Sequence, residues 1–136
     1  MKHVNYYIFG TIFDLLESTQ GIDGVDFLRF DPDDEADIER ITSLYIKPTV
    51  EAATRENQEE ICLTIAYYTT IGTAPFQLMK NRAQDLSLGD ADSWRLFFTC
   101  VGRVLYGADF QSNFDPRGVV ERPDEFVAQW IFSRPA

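Results

Sequence analysis

The chain has 136 residues, 45% of them hydrophobic and 14% aromatic; this is the size and apolar content of one globular domain and excludes wholesale disorder. Its net charge of −10 and pI near 4.4 exclude recognition of nucleic-acid phosphates, which takes clustered Lys and Arg, and equally exclude docking on an anionic membrane. The charge is unevenly spread, with 14 acids against 5 bases in residues 1–60 and 8 against 7 in residues 61–136.

The N-terminal residues Met1 to Tyr6 lack an apolar signal core, so a cytoplasmic protein is expected. The first helix is predicted over residues 4–18, with Val4, Ile8, Ile12, Leu15 and Leu16 on one face, widened by Phe9 and Phe13. Its start is ambiguous with a strand at Tyr6 to Phe9. A turn at residues 21–24 precedes the short aromatic run Val25 to Phe30, which reads as extended, so short strands are expected within residues 4–30.

Asp31 followed by Pro32 has the chemistry of a helix start, with Asp31 as N-cap and Pro32 at the first position. The helix they open places Ile38, Ile41, Leu44 and Tyr45 inward and ends near Lys47. Pro48 opens a third helix that runs to about Thr70, carrying Val50, Ala53, Ile61, Ile65 and Tyr68 through an exposed polar middle at residues 55–60. Gly72 closes it, and a fourth helix begins around Pro75.

The fifth is the clearest. Trp94, Phe97, Phe98, Val101, Val104 and Leu105 recur at helical spacing after an Asp90 or Asp92 cap, and Gly107 ends the run. Residues 108–122 read as irregular. A last helix starts at Pro123 and Asp124 and is expected to bury Phe126, Val127, Trp130 and Ile131. The fold class is therefore all-α: one domain, residues 1–136, as a compact bundle of about six helices.

No motif for catalysis or metal binding emerges. His3 is the sole histidine and reads as a solvated side chain near a fraying terminus, which leaves no Ser-His-Asp, Cys-His or histidine-based zinc site. Cys62 and Cys100 lie in apolar helical settings at a spacing foreign to zinc and redox motifs, and are expected as reduced core thiols. Asp31, Asp33 and Asp37 fail as a calcium loop, because Ala36 stands where glycine is needed and Thr42 where glutamate is needed. No cofactor or metal is expected.

What stands out is the acid run. Asp31, Asp33, Asp34, Glu35, Asp37 and Glu39 place six carboxylates within nine residues, with Arg40 as the one adjacent base. Phe27, Phe30 and Tyr45 are candidate apolar anchors beside them. Opposed charge of this density steers association, and aromatics within a charged patch hold a complex together. The run is also what a well-solvated helix start looks like. Small, acidic, non-catalytic helical proteins that bind basic partners include immunity proteins of bacterial toxin systems and inhibitors that mimic nucleic acid. The expected function is of this kind: an immunity or inhibitor-type protein that neutralises a basic protein such as a nuclease toxin by electrostatic docking. The alternatives are a helical adaptor or self-associating subunit, and an enzyme relying on carboxylates.

Overall fold

A computed structural model describes residues 2–18, 34–71, 91–112 and 115–132. These residues are mostly helical, with a two-stranded parallel sheet added. In chain order they comprise β1 (Lys2–Val4), α1 (Tyr7–Ser18), α2 (Glu35–Ile41), a π turn (Thr42–Ile46), α3 (Lys47–Ala52), α4 (Arg55–Ile71), α5 (Ala91–Tyr106), a 3-10 turn (Pro116–Gly118), β2 (Val119–Glu121) and α6 (Glu125–Gln129). Because α2, the π turn and α3 are continuous, the described residues hold five separate helical rods rather than about six. The helix expected from Pro75 and the extended run Val25 to Phe30 lie outside the described residues.

The sheet corrects the all-α expectation. Strand β1 precedes the ambiguous segment at Tyr6, and its partner falls in a stretch that reads as irregular. Lys2 pairs with Val119, His3 with Val120 and Val4 with Glu121, and the Arg122 N–H donates to the Val4 carbonyl at 2.8 Å. One residue later sits Asn5, fully buried and polar. Its backbone N–H donates to Thr64 Oγ1 (3.1 Å), and its side-chain Nδ2 donates to the Asp124 carbonyl (2.8 Å). Its Oδ1 accepts from the backbone N–H of Tyr7 and of Asp124, both at 3.1 Å. The first of these caps α1, so the helix starts at Tyr7 rather than at Val4.

The core joins α1, α4 and α5 through rings. Phe9 lies 4.3 Å from Phe98 between centroids and 5.8 Å from Tyr68; Phe13 lies 5.3 Å from Phe98 in an edge-to-face contact. Ile8, Ile12, Ile61, Ile65, Phe97 and Val101 complete it, as their spacing predicts.

Three helical readings change. The cap of α2 is Asp34, whose carboxylate accepts the Ala36 N–H at 2.9 Å, three residues after the expected Asp31. Downstream, the Lys47 N–H reaches back five residues to the Thr42 carbonyl, and this wider turn accommodates the five-residue step from Ile41 to Ile46. Ile46 and Val50 are thereby buried, and Leu44, expected inward, is 55% exposed. The long third helix is broken at Ala53, whose ψ of 166° is extended. Thr54 then caps α4 by accepting the Asn57 N–H on its hydroxyl, and Gln58 Nε2 donates back to the Glu51 and Ala53 carbonyls. The polar stretch that reads as a solvated mid-helix is thus the start of α4, just past the junction at Ala53 and Thr54.

Helix α5 keeps its expected inward residues Phe97, Phe98 and Val101, and Gly107 ends it at a φ of 95°, where its N–H bonds the Arg103 carbonyl. The following turn folds Phe110 back over Gly102. Helix α6 starts where expected, with Asp124 as its cap, and buries Ile131 as expected, but Ala128 is its other buried residue and Phe126 and Trp130 lie outside.

Two stability measurements check this account. Asn5→Ala removes the acceptor of the part-buried Tyr7 and Asp124 N–H groups, while the Asp124 carbonyl keeps the Ala128 N–H, so urea denaturation is expected to show a loss of about 2–4 kcal/mol. Gly102→Ala puts a methyl 2.3 Å from the Phe110 ring and is expected to cost about 1–2 kcal/mol, net of alanine's better helix propensity. In a Phe110→Ala background that second cost disappears, which a double-mutant cycle reads directly.

Candidate functional site

Of the acid run, the described residues are Asp34, Glu35, Asp37 and Glu39; Asp31 and Asp33, with Phe27 and Phe30, lie outside them. These four carboxylates have different roles. Asp34 is committed to the helix cap, with its oxygen on the Ala36 N–H. Asp37 is 25% exposed and pairs with Arg40 at 3.5 Å across one turn. Glu35 and Glu39 are exposed, four residues apart, which puts them one above the other on the helix. Tyr45 sits in the π turn, half-buried against the core, and the exposed apolar side chain beside it is Leu44.

Glu35 and Glu39 form one wall of an open cleft of about 300 Å³, faced by Cys100, Arg103, Val104 and Ala108. Arg103 provides the cleft's one cation among the described residues. Burial pushes the Cys100 thiol up from its ordinary value, the Glu35 and Glu39 charges add to this, and Arg103 opposes it. Cys62, half-buried on α4, is likewise pushed up by burial and then by Glu59. Both cysteines are free.

His3 is part of the sheet and half-buried, not the solvated side chain expected near the terminus. It occupies the middle of β1, with Nδ1 buried and without a hydrogen-bond partner among the described residues. It lines a cleft of about 250 Å³ between the sheet and α4, along with Glu56 and two ion pairs, Lys2 with Glu59 and Arg122 with Glu60 at 3.0 Å. The pairs bridge 57 and 62 positions of sequence, so local spacing holds no trace of this cleft.

A second feature does have a sequence signature, the doublets Tyr6-Tyr7 and Tyr67-Tyr68. The structure clusters them, largely edge to face: Tyr6 lies 4.6 Å from Tyr7 and 6.2 Å from Tyr68, and Tyr67 lies 4.9 Å from Tyr68. The Tyr68 hydroxyl donates to Glu121 at 2.9 Å, and burial followed by that carboxylate raises its pKa far above the phenol range. Tyr6 is raised by its bond with Tyr7, then by burial, and Tyr67 is raised by burial. Tyr6, Tyr67 and Tyr68 are thereby held protonated at neutral pH, and the bond from Tyr68 to Glu121 ties α4 to β2.

Among the described residues no group of three or more His, Cys, Asp or Glu is arranged to hold a metal, and no helix is long and apolar enough to cross a membrane. With both thiols raised, labelling of Cys62 and Cys100 by iodoacetamide at pH 7.5 is expected to be at least about tenfold slower than that of a free thiol. It should accelerate only above the ordinary thiol range, and rapid labelling of both at neutral pH contradicts their placement. Comparison with known protein families, characterised proteins and solved structures finds no match to this chain.

Proposed function

We propose that this protein is a non-catalytic acidic binding protein of the immunity or inhibitor kind, which acts in the cytoplasm and neutralises a basic protein partner such as a nuclease toxin. The observation that carries the reading is the disposition of Glu35 and Glu39. They are exposed and one helical turn apart, on the rim of an open cleft, at the most acidic part of a chain of charge −10. An enzyme that cleaves a polyanion keeps a cationic site, and a fixed acidic ridge is complementary to it.

The helix supplies the rigidity such a ridge needs. Asp34 caps it, Ile38 and Ile41 anchor its inner face, and the acids of the first turn lie where the helix dipole favours negative charge. The carboxylates are therefore held in place before the partner arrives, which lowers the ordering cost of binding.

Co-purification from the source cell at low salt, followed by titration of what is retained, tests the proposal. Glu35→Lys with Glu39→Lys is expected to weaken binding at least about tenfold, chiefly through a slower on-rate, and to flatten its dependence on salt. Asp34→Asn keeps the cap and is expected to change binding little. The double reversal should cost about 0.3–1 kcal/mol of stability through the helix dipole and leave the fold intact by circular dichroism. Unchanged affinity in the double variant overturns the role of α2, and retention of no basic protein by the wild type overturns the proposal.

A further inference from the structure

Strand β2 is paired on one side only. The Arg122 N–H donates to the Val4 carbonyl while Val4 stands opposite Glu121, so alternate residues of β2 face β1. Val120 and Arg122 bond inward; Val119 and Glu121 turn their N–H and C=O groups outward. Among the described residues no backbone hydrogen bond reaches these four outward groups. The edge is accessible, with Val119 half-buried and Glu121 exposed. An unpaired row of this kind is a template for another extended chain.

The side chains alternate as the backbone does. Val119 packs toward the core, and the Glu121 carboxylate accepts the Tyr68 hydroxyl at 2.9 Å, so both lie on the inner face of the sheet. Val120 points to the other face and is 38% exposed. The 3-10 turn ends at Gly118 and Pro123 lacks an N–H, so the outward row is confined to Val119 and Glu121. The surroundings are neutral. Residues 115–123 hold two acids, Asp115 and Glu121, and two bases, Arg117 and Arg122, in a chain of charge −10. Arg117 pairs with Asp115 and Arg122 with Glu60, so neither base is offered to an anion.

We propose that this edge pairs with the same edge of a second copy, giving a symmetric dimer with one four-stranded sheet. A two-fold axis through Val120, normal to the sheet, sets the two β2 strands antiparallel, with Val119 of each copy opposite Glu121 of the other. Each outward N–H then meets an outward C=O, four bonds in all. The two Val120 side chains meet on the open face as a non-hydrogen-bonded pair, where side chains approach most closely. Self-complementarity selects this occupant: the edge matches itself in register, in the apolar residue at its centre and in local charge. The two Glu121 carboxylates lie on the diagonal, about 7–8 Å apart, and each is drawn to its own Tyr68. The contact is small, so the dimer is weak and fills as concentration rises. Helix α2 packs on α5 and takes no part in it, so the inference is independent of the partner proposed above.

The test is sedimentation of the whole protein from about 10 µM to about 1 mM, with amide exchange followed by NMR at both ends of the range. A dimer is expected to grow in with concentration, and exchange at the Val119 and Glu121 amides to slow at least about threefold as it does. Val120→Lys sets like charges side by side on the axis and should return the protein to a monomer with its helical circular dichroism retained. Mixing it with Val120→Glu should restore association. Mild oxidation of Val120→Cys is expected to link two copies, because the paired Cα atoms lie about 4.5 Å apart. Arg122→Cys, offset by about 13 Å along the strands, should link no better than the wild type with its own Cys62 and Cys100. A monomer at every concentration overturns the proposal. So does a dimer that Val120→Lys leaves intact, or equal linking from both positions. Protection of the two amides only on addition of a different protein shows an edge taken by a foreign strand and overturns the proposed occupant.

Discussion

Asn5 connects the two ends of the described chain. A buried amide costs stability unless its donors and acceptors are matched, and here the match comes from Thr64, Tyr7 and Asp124, residues near and up to 119 positions away. These bonds end β1, start α1 and fix the loop that opens α6. The parallel register of β1 on β2, the ion pairs around His3 and the bond from Tyr68 to Glu121 all lie on segments aligned by this residue. So does the placement of α6, from which Phe126 and Trp130 project.

A second constraint governs the acidic side of the molecule. The step from Ile41 to Ile46 is one residue too long for an α-helical stripe, and the π turn absorbs the excess without breaking the rod. The helix can then run on from the acidic cap to Val50 while both halves bury apolar residues against α5 and the core. The rod ends at Ala53, where Thr54 and Gln58 satisfy the groups freed on either side. The acids of α2 are thereby carried on a long, internally supported element.

The two proposed surfaces differ in the physics they use. The ridge on α2 consists of exposed charge, which acts over a Debye length of about 8–10 Å and is weakened by salt. The edge of β2 consists of directed backbone groups, which act only at contact and in one register. A net charge of −10 opposes self-association, and the proposed two-fold contact falls on the neutral stretch of residues 115–123.

Local pattern carried the reading a fair distance. The stripes of α1 and α5, the Gly107 stop, the start of α6 near Asp124 and the helical dominance all follow from spacing and local chemistry, because these act within a turn or two of chain. The acid run was equally visible, since charge needs no fold to be counted. Period alone could not find β1 and β2, three residues each and far apart in sequence, since each is stabilised by the other. Nor could it place Leu44 outside, which follows from a π turn, or Phe126 and Trp130, which sit in an apolar-looking stretch indistinguishable from a buried one. Which side of a short helix meets water depends on what packs against the other side. For α6 that partner is α1, held by Thr11 on Ala128 across 117 positions of chain.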